Sequence, residues 1–272
     1  MNSKKEKIDL KSFLDEKAEL YENLYFIEND PIQIPHQFKH KEDIEIAAFF
    51  TSIIAWGQRK TIINNARKLM SFMDNAPHDF ILHHEEEDLK PFLGFVHRTF
   101  NSDDLLYFIH RLKRIYKEEG GLEKVFTDLI NDNKGNVLDA ISQFKGRFFD
   151  EDHLIRTEKH LSDPGKGSSA KRINMFLRWM VRSDKKEVDF ALWKGISTSS
   201  LYLPLDIHTG NVARHFGLLD RKQNDRKALE ELMTILRVMD PMDPVKYDFA
   251  LFGVGVNEGK LEGSVRLFDQ GF

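Results

Sequence analysis

Apolar residues recur at helical spacing along most of this chain, and that spacing is the strongest constraint on its fold. One segment shows the pattern clearly, with apolar residues at i, i+3, i+4, i+7 and i+8: Ile46, Phe49, Phe50, Ile53 and Ile54. Strand-like alternation is scarce, and prolines and glycines fall between the helical segments. The sequence therefore predicts an all-α protein. We also expect one amphipathic helix over residues 8–28 and an extended segment over residues 30–35, since proline disfavours helix at the residue before it.

The composition narrows the possible classes of function. The chain has no cysteine, which excludes disulfides, thiol catalysis and an iron–sulfur cluster bound by cysteine. No apolar run approaches the roughly 18 residues that a membrane helix needs. The charged residues 1–7 are not followed by an apolar signal core, so we expect a cytoplasmic protein without a membrane partner.

The charge is unevenly distributed along the chain. The formal net charge is −4, which argues weakly against nucleic acid as a partner. Residues 159–186, however, contain eight Lys or Arg and two Asp, a net charge of +6. A basic face on a mildly acidic protein is compatible with DNA binding, although such charge runs are more often solvated surface.

Residues 203–218 have the pattern of a short capped helix. A proline precedes Asp206, about nine helix-compatible residues follow it, and Gly217 comes directly after them. This predicts a helix with Asp206 as its N-cap and Gly217 just past its end. A carboxylate at that position accepts main-chain N–H groups at the positive end of the helix dipole, so it is kept ionised and fixed in direction. His208 and His215, on one face of this helix, are a weaker indication of a metal site.

A glycine-rich turn at residues 165–169 precedes a basic helix predicted over residues 170–182. Such a turn leaves main-chain N–H groups unpaired at a helix start, which suits a phosphate. Lys171, Arg178 and Arg182 share the face opposite the apolar residues of this helix. A lysine near other cations and a helix N-terminus has a lowered pKa and is a better nucleophile, so Lys171 is a candidate nucleophile. The alternative is an ordinary solvated basic face.

A polar turn joins two strongly amphipathic segments at residues 57–61. Thr61 is predicted to cap the second helix. Gln58 can enter a duplex or hydrogen-bond to base edges, and Arg59 and Lys60 can meet phosphates. The alternative is a polar connection between two helices.

Together and in this order, the three segments resemble the helix-hairpin-helix DNA glycosylase superfamily, which includes endonuclease III and the 8-oxoguanine glycosylases. Residues 44–70 resemble its opening helix, glutamine-containing turn and second helix. Residues 163–177 resemble its hairpin and the helix that carries a catalytic lysine, and residues 203–218 resemble the segment with its catalytic aspartate. Residues 240–255 resemble its closing helix. The whole chain also resembles an uncharacterised bacterial family that carries the same segments, a domain of unknown function.

The resemblance implies a single helical unit over residues 1–272, with two subdomains flanking a cleft. Residues 40–160 would contain the Gln58 turn, residues 161–258 would contain the hairpin, lysine and aspartate, and residues 1–39 would pack on one of the two halves.

The implied activity is that of a DNA repair glycosylase with AP lyase activity, which flips a damaged base, such as an oxidised purine, into an interhelical pocket. Asp206 would be the catalytic carboxylate that stabilises the sugar cation, and Lys171 would attack the sugar and form a Schiff base. The resemblance assigns DNA contacts to Gln58, Arg59, Lys60, Gly165, Lys166, Gly167, Ser168, Ser169, Arg172, Arg178 and His208.

Two departures from the superfamily pattern leave alternatives open. Lys166 stands where the superfamily hairpin has an apolar residue between its glycines. Ser168 and Ser169 must be allowed as extra residues before Lys171 matches the family lysine; otherwise the match falls on Ser169. In that case Asp206 would activate water, as in a monofunctional glycosylase.

The expected partner is double-stranded DNA with a damaged base. We expect no cofactor, no metal and no obligate protein partner. Two other functions remain open: a non-catalytic nucleic-acid-binding protein on the same scaffold, and a metal-dependent phosphohydrolase that uses Asp206 and His208.

Overall fold

The computed structural model describes residues 9–182 and 186–258. Residues 1–7 and two charges of the basic segment, Asp184 and Lys185, lie outside these ranges. Helix accounts for 67% and strand for 2%, so the prediction of an all-α protein is confirmed. The first six helices are α1 (Leu10–Tyr21), α2 (Leu24–Asn29), α3 (Lys41–Ile53), α4 (Arg59–Phe72), α5 (Pro77–His83) and α6 (Ser102–Glu118). The next six are α7 (Leu122–Asp132), α8 (Val137–Phe148), α9 (Lys171–Val181), α10 (Ile207–His215), α11 (Arg226–Met239) and α12 (Tyr247–Asn257).

Helices α3 and α9 pack against each other at the centre of the molecule. Residues 44–53 of α3 and 173–181 of α9 are all buried. Helices that are buried on every side run through a core rather than over its surface. Phe49 of α3 meets Phe176 of α9 edge to face, with 5.5 Å between ring centroids. Further rings pack around Phe49: Phe50, Phe108, Phe144 and Phe148.

Helix α12 lies between α1 and α10. The approach of α1 is close, because a Cβ atom at Gly253 would lie 2.2 Å from the Tyr21 ring. The segment that follows α2 packs on α3 and α4. The N-terminal part of the described chain therefore contacts α12 on one side and α3 and α4 on the other.

The N-terminal region differs from the sequence-based expectation. The single helix over residues 8–28 is two helices, because Asn23 caps α2 by accepting the Phe26 N–H at 3.2 Å. Residues 30–35 are not extended: two 3₁₀ turns, Pro31–Gln33 and Pro35–Gln37, fill this region. Proline at the first position of a turn loses no hydrogen bond and has a suitable φ, so it starts these turns instead of preventing them.

A short antiparallel hairpin precedes α6. Its strands are β1 (Val96–His97) and β2 (Phe100–Asn101), each two residues long, too short for the sequence to show alternation. None of the described helices has the length and apolar character needed to span a bilayer.

Candidate active site

A cleft of about 930 Å³ opens where several helix ends meet. The starts of α4, α9 and α10 contribute to its walls, as do α12 and the segment around Asp30. Five of the residues singled out in the sequence line it: Arg59, Lys171, Arg178, Asp206 and His208. The cleft is therefore the place where the three sequence segments converge.

Asp206 is the N-cap of α10, as predicted. Its Oδ1 accepts the Thr209 N–H at 2.9 Å, and its own φ and ψ are extended. Gly217 follows the helix with φ +72° and donates its N–H to the Arg214 carbonyl at 3.1 Å. Leu218 N–H reaches the Ala213 carbonyl at 2.8 Å, which completes a Schellman motif. The carboxylate thus lies half-buried at the positive end of a helix closed at both ends.

Lys171 is the first residue of α9 and lines the cleft. Ala170, just before it, has φ +46°, a left-handed conformation that turns the chain sharply into the helix. Ser169 is buried, and its carbonyl accepts the Asn174 side-chain amide at 2.8 Å. Of the two candidates for the family lysine position, the residue at the cleft is therefore Lys171.

We predicted that the turn at 165–169 offers unpaired main-chain N–H groups to a phosphate. That prediction is wrong for most of these groups. Gly165 N–H donates to the side chains of Asp163 and Ser142, each at 2.8 Å. Lys166 and Ser168 N–H groups donate to the Asp163 carbonyl at 3.1 and 3.2 Å, and Gly167 N–H donates to Pro164. Because Asp163 occupies the inside of the turn, these donors are already paired. Gly165, Lys166 and Gly167 remain exposed, so a contact with DNA would use their outer surface.

The predicted exposed basic face of α9 is also wrong. Arg178 and Arg182 are each 3% exposed. Arg178 forms ion pairs with Asp248 and Asp189. Arg182 forms ion pairs with three acids: Glu22, Asp189 and Asp243. These arginines neutralise buried carboxylates, and Arg178 also lines the cleft.

Arg172 is likewise committed within the protein. Its guanidinium donates to the main-chain oxygen of Ile53 at the end of α3. Burial lowers the pKa of Arg172 to about 10. The Arg172 side chain links α9 to α3 by this hydrogen bond. Its position therefore does not support the prediction that Arg172 contacts DNA.

The turn at residues 57–60 is exposed at the rim of the cleft. Gln58, Arg59 and Lys60 are all exposed, and Arg59 lines the cleft. Helix α4 begins at Arg59, so Gln58 rather than Thr61 is its N-cap residue. The three polar side chains therefore project from the first turn of a helix whose inner face is buried.

The hairpin β1–β2 braces this turn, which the sequence did not indicate. Arg98 lies over the Trp56 ring, 4.8 Å from its centroid. His97 Nε2 is 3.0 Å from the Trp56 carbonyl oxygen. Gly57 has φ +107°, and a Cβ there would lie 3.2 Å from the Arg98 side chain. Trp56, half-buried in the cleft wall, is thus held between the turn and the hairpin, and Arg98 adds a cation to the rim.

Two cleft carboxyls were missed by the sequence reasoning. Asp248 of α12 is 6% exposed, and this burial raises its pKa to about 7. The positive charge of Arg178 lowers the pKa of Asp248, and the negative charge of Asp206 raises it further. Burial also raises the pKa of Asp30, against the charges of Arg178, Arg59 and Lys171. A signal for Asp248 was present, because it is the single acidic residue within the otherwise apolar helix α12.

The weaker indication of a metal site at His208 finds no support in the geometry. Within residues 9–182 and 186–258, no three or more His, Asp or Glu side chains are grouped to hold a metal ion. His208 is exposed at the cleft, with its ring 6.0 Å from that of Phe252.

These features define an all-α protein with a cleft whose mainly apolar lining includes one lysine, three carboxyls and two arginines. Residues 30–257 match the DUF2400 family, which is described as a protein of unknown function, and the chain belongs to that family. No curated protein and no solved structure matches the chain significantly.

Proposed function

We propose that this protein is a DNA base-excision enzyme, a glycosylase with associated AP lyase activity that acts on a damaged base in double-stranded DNA. One observation carries the proposal: Lys171 and Asp206, from different helices, line the same cleft. A volume of about 930 Å³ falls within the range of sites that enclose a small molecule, so it is large enough for a flipped nucleotide. The helix-hairpin-helix glycosylase architecture is part of the same proposal.

The first chemical step breaks the bond between the sugar C1′ and the base nitrogen. The electron pair of that bond leaves with the base, and positive charge develops on the sugar. Asp206, a carboxylate fixed by the Thr209 N–H, stabilises that charge.

The second step forms a covalent intermediate. Lys171 gives a proton to the Asp206 carboxylate, and its nitrogen bonds to C1′. As the C1′–O4′ bond breaks, O4′ takes a proton from that nitrogen, and a protonated Schiff base forms between Nζ and C1′. Loss of a C2′ proton to water and departure of the 3′ phosphate then cut the strand, and hydrolysis of the Schiff base releases the lysine.

DNA would approach the rim formed by the turn at 57–60 and the hairpin β1–β2. Gln58, exposed on this turn, would occupy the space that a flipped nucleotide leaves, and the exposed cations Arg59, Lys60 and Arg98 would contact the phosphates. Arg178 has a different task from the one the sequence suggested, since it balances the carboxyl groups at the bottom of the cleft.

The test is covalent trapping. The full chain is incubated, in the presence of EDTA, with duplexes that carry 8-oxoguanine, uracil or a preformed abasic site, and borohydride is added to reduce any Schiff base. We expect a stable protein–DNA adduct that disappears in Lys171→Ala. Lys227→Ala is the matched control, because Lys227 is an exposed lysine in the first turn of α11 and does not line the cleft.

The contrary result is equally clear. If no adduct forms and no base is released from any duplex at high protein concentration, the enzyme proposal fails. Salt-sensitive DNA binding that Asp206→Asn leaves unchanged, again without product, would assign the chain to the non-catalytic DNA binders.

A further inference from the structure

Asp248 is a buried residue of the cleft lining. It is connected to Asp206 through Thr209, which donates a hydrogen bond to each of the two carboxyls. Asp248 Oδ1 accepts the Thr209 hydroxyl at 3.4 Å, while the Thr209 N–H caps Asp206 at 2.9 Å. Its Oδ2 contacts the guanidinium of Arg178. Asp248 is 6% exposed and belongs to the same cleft lining as Asp206 and Lys171.

Several charged groups face Asp248 from the elements packed around it. Lys171 and Arg178 come from α9, Asp206 from the start of α10, and Asp189 from the segment after α9. Arg178 is shared, because it also pairs with Asp189 and acts on Asp30. Burial raises the pKa of Asp248 to about 7, because the positive charges of Arg178 and Lys171, which lower it, do not offset burial and the repulsion from Asp206 and Asp189.

The two neighbouring carboxyls of the cleft therefore have different environments. Asp206 lies half-buried at a helix N-terminus, where it accepts the Thr209 N–H and faces the positive end of the helix dipole. Asp248 is buried in a largely apolar helix, and this burial disfavours its charged form. Paired carboxyls in contrasting environments are the usual arrangement for dividing acid and carboxylate roles within one site.

We propose that Asp248 is a further catalytic residue of this site, the general acid that gives its proton to the departing base. The proposal rests on the function proposed above. As the bond from C1′ to the base nitrogen breaks, its electron pair accepts the carboxyl proton of Asp248, and the base leaves neutral. The resulting carboxylate is stabilised by Arg178 and is protonated again from solvent after the base has left.

The test separates base departure from the later lyase step. Asp248→Asn is compared with the unchanged chain on two probes, a duplex with an intact 8-oxoguanine or uracil, and a duplex with a preformed abasic site. Single-turnover base release should fall by about 10²-fold or more. Borohydride trapping on the abasic duplex should be retained, because no base remains to be protonated there.

Two further measurements distinguish catalysis from a structural role. Base release by the unchanged chain should decline as pH rises above about 7, where Asp248 loses its proton. In Asp248→Asn that decline should be absent. Asp189→Asn removes the other carboxylate on Arg178, so the decline in base release should move to lower pH without being abolished.

Each contrary outcome is decisive. An equal loss on both probes, or unchanged base release in Asp248→Asn, would overturn the assignment. So would trapping of the abasic duplex by the unchanged chain with no release of either base, because no departing base would then need a proton. Failure of the unchanged chain to trap the abasic duplex would instead reject the lyase function itself.

Discussion

The side-chain amide of Asn224 donates to the main-chain oxygen of Asp206 at 2.7 Å. The Asn224 carbonyl in turn accepts the Arg214 guanidinium at 2.6 Å. Gly210 lies beneath this contact, and a Cβ there would be 2.6 Å from the Asn224 oxygen. Asp206 is therefore fixed by its own cap and by a segment beyond the helix, so its direction does not depend on α10 alone.

Asp206 should have separable structural and chemical roles. Asparagine is as good an N-cap as aspartate, so the free energy of unfolding of Asp206→Asn should lie within a few tenths of a kcal/mol of that of the unchanged chain. The same variant should lose base release. Asp206→Ala should lose the activity and about 1 kcal/mol of stability. Urea unfolding and single-turnover base release measure the two effects.

The matched control is Asp225, which caps α11 by accepting the Ala228 N–H at 3.0 Å and does not line the cleft. Asp225→Ala should lose stability and keep base release. If Asp206→Asn keeps full base release, Asp206 is only a cap.

Buried Arg182 should be structural, despite its place in a basic segment of the sequence. Its guanidinium contacts Glu22, Asp189 and Asp243, and its removal leaves these acids close together in a nearly dry site. Arg182→Met should therefore cost about 3–5 kcal/mol in the free energy of unfolding. The exposed Lys227→Met should change it by less than about 0.5 kcal/mol. A small effect of Arg182→Met in urea unfolding would contradict the ion-pair network.

Local signals predicted some of the site correctly, and long-range pairing decided the rest. The α10 helix could be predicted because its cap residue, Asp206, and its terminating glycine, Gly217, lie within one short stretch of sequence. The polar face of α9 could be predicted in the same way. The acidic residues that pair with it could not, because Glu22, for example, lies 160 residues away from Arg182 in the sequence. Periodicity identifies a polar face; it does not reveal whether water or a distant carboxylate covers it.

The same limit applies to the turn at 165–169 and to the cleft itself. Asp163 lies close to the glycines in the sequence, but the sequence does not show that its side chain folds into the turn and accepts the Gly165 N–H. The rim residue Arg98 follows a two-residue strand and so left no periodic signal. Asp30 lines the cleft as the N-cap of a 3₁₀ turn, where the sequence predicted an extended segment.

His160 should make the protein sensitive to mild acid. It is 2% exposed, with Nε2 3.1 Å from the Asp104 carboxylate, and burial lowers its pKa to about 4. In the unfolded chain a histidine titrates near 6.5, so between these values the unfolded state binds more protons. The contribution of His160 to stability is therefore present above about pH 6.5 and is lost as pH falls toward 4.

Between about pH 6.5 and 4 the free energy of unfolding of the unchanged chain should fall with pH more than that of His160→Gln does. The difference between the two falls should be about 2 kcal/mol. Urea unfolding at pH 7, 6, 5 and 4.5 measures the difference between the two chains. A curve for His160→Gln parallel to that of the unchanged chain would show that His160 is not the source of the acid sensitivity.

Trp56 should report directly on occupation of the cleft. The other two indoles, Trp179 and Trp193, are 0% and 1% exposed, whereas Trp56 is half-buried in the cleft wall under Arg98. A duplex with a reduced, non-reactive abasic site should therefore quench or shift the emission of this one indole, because a nucleotide near the ring changes its polarity and its contact with Arg98. Trp56→Phe keeps an aromatic ring in the wall and should remove the change in emission while retaining binding, measured by fluorescence anisotropy of a labelled duplex. If the duplex binds and Trp56→Phe shows the same change in emission as the unchanged chain, the DNA does not enter this cleft.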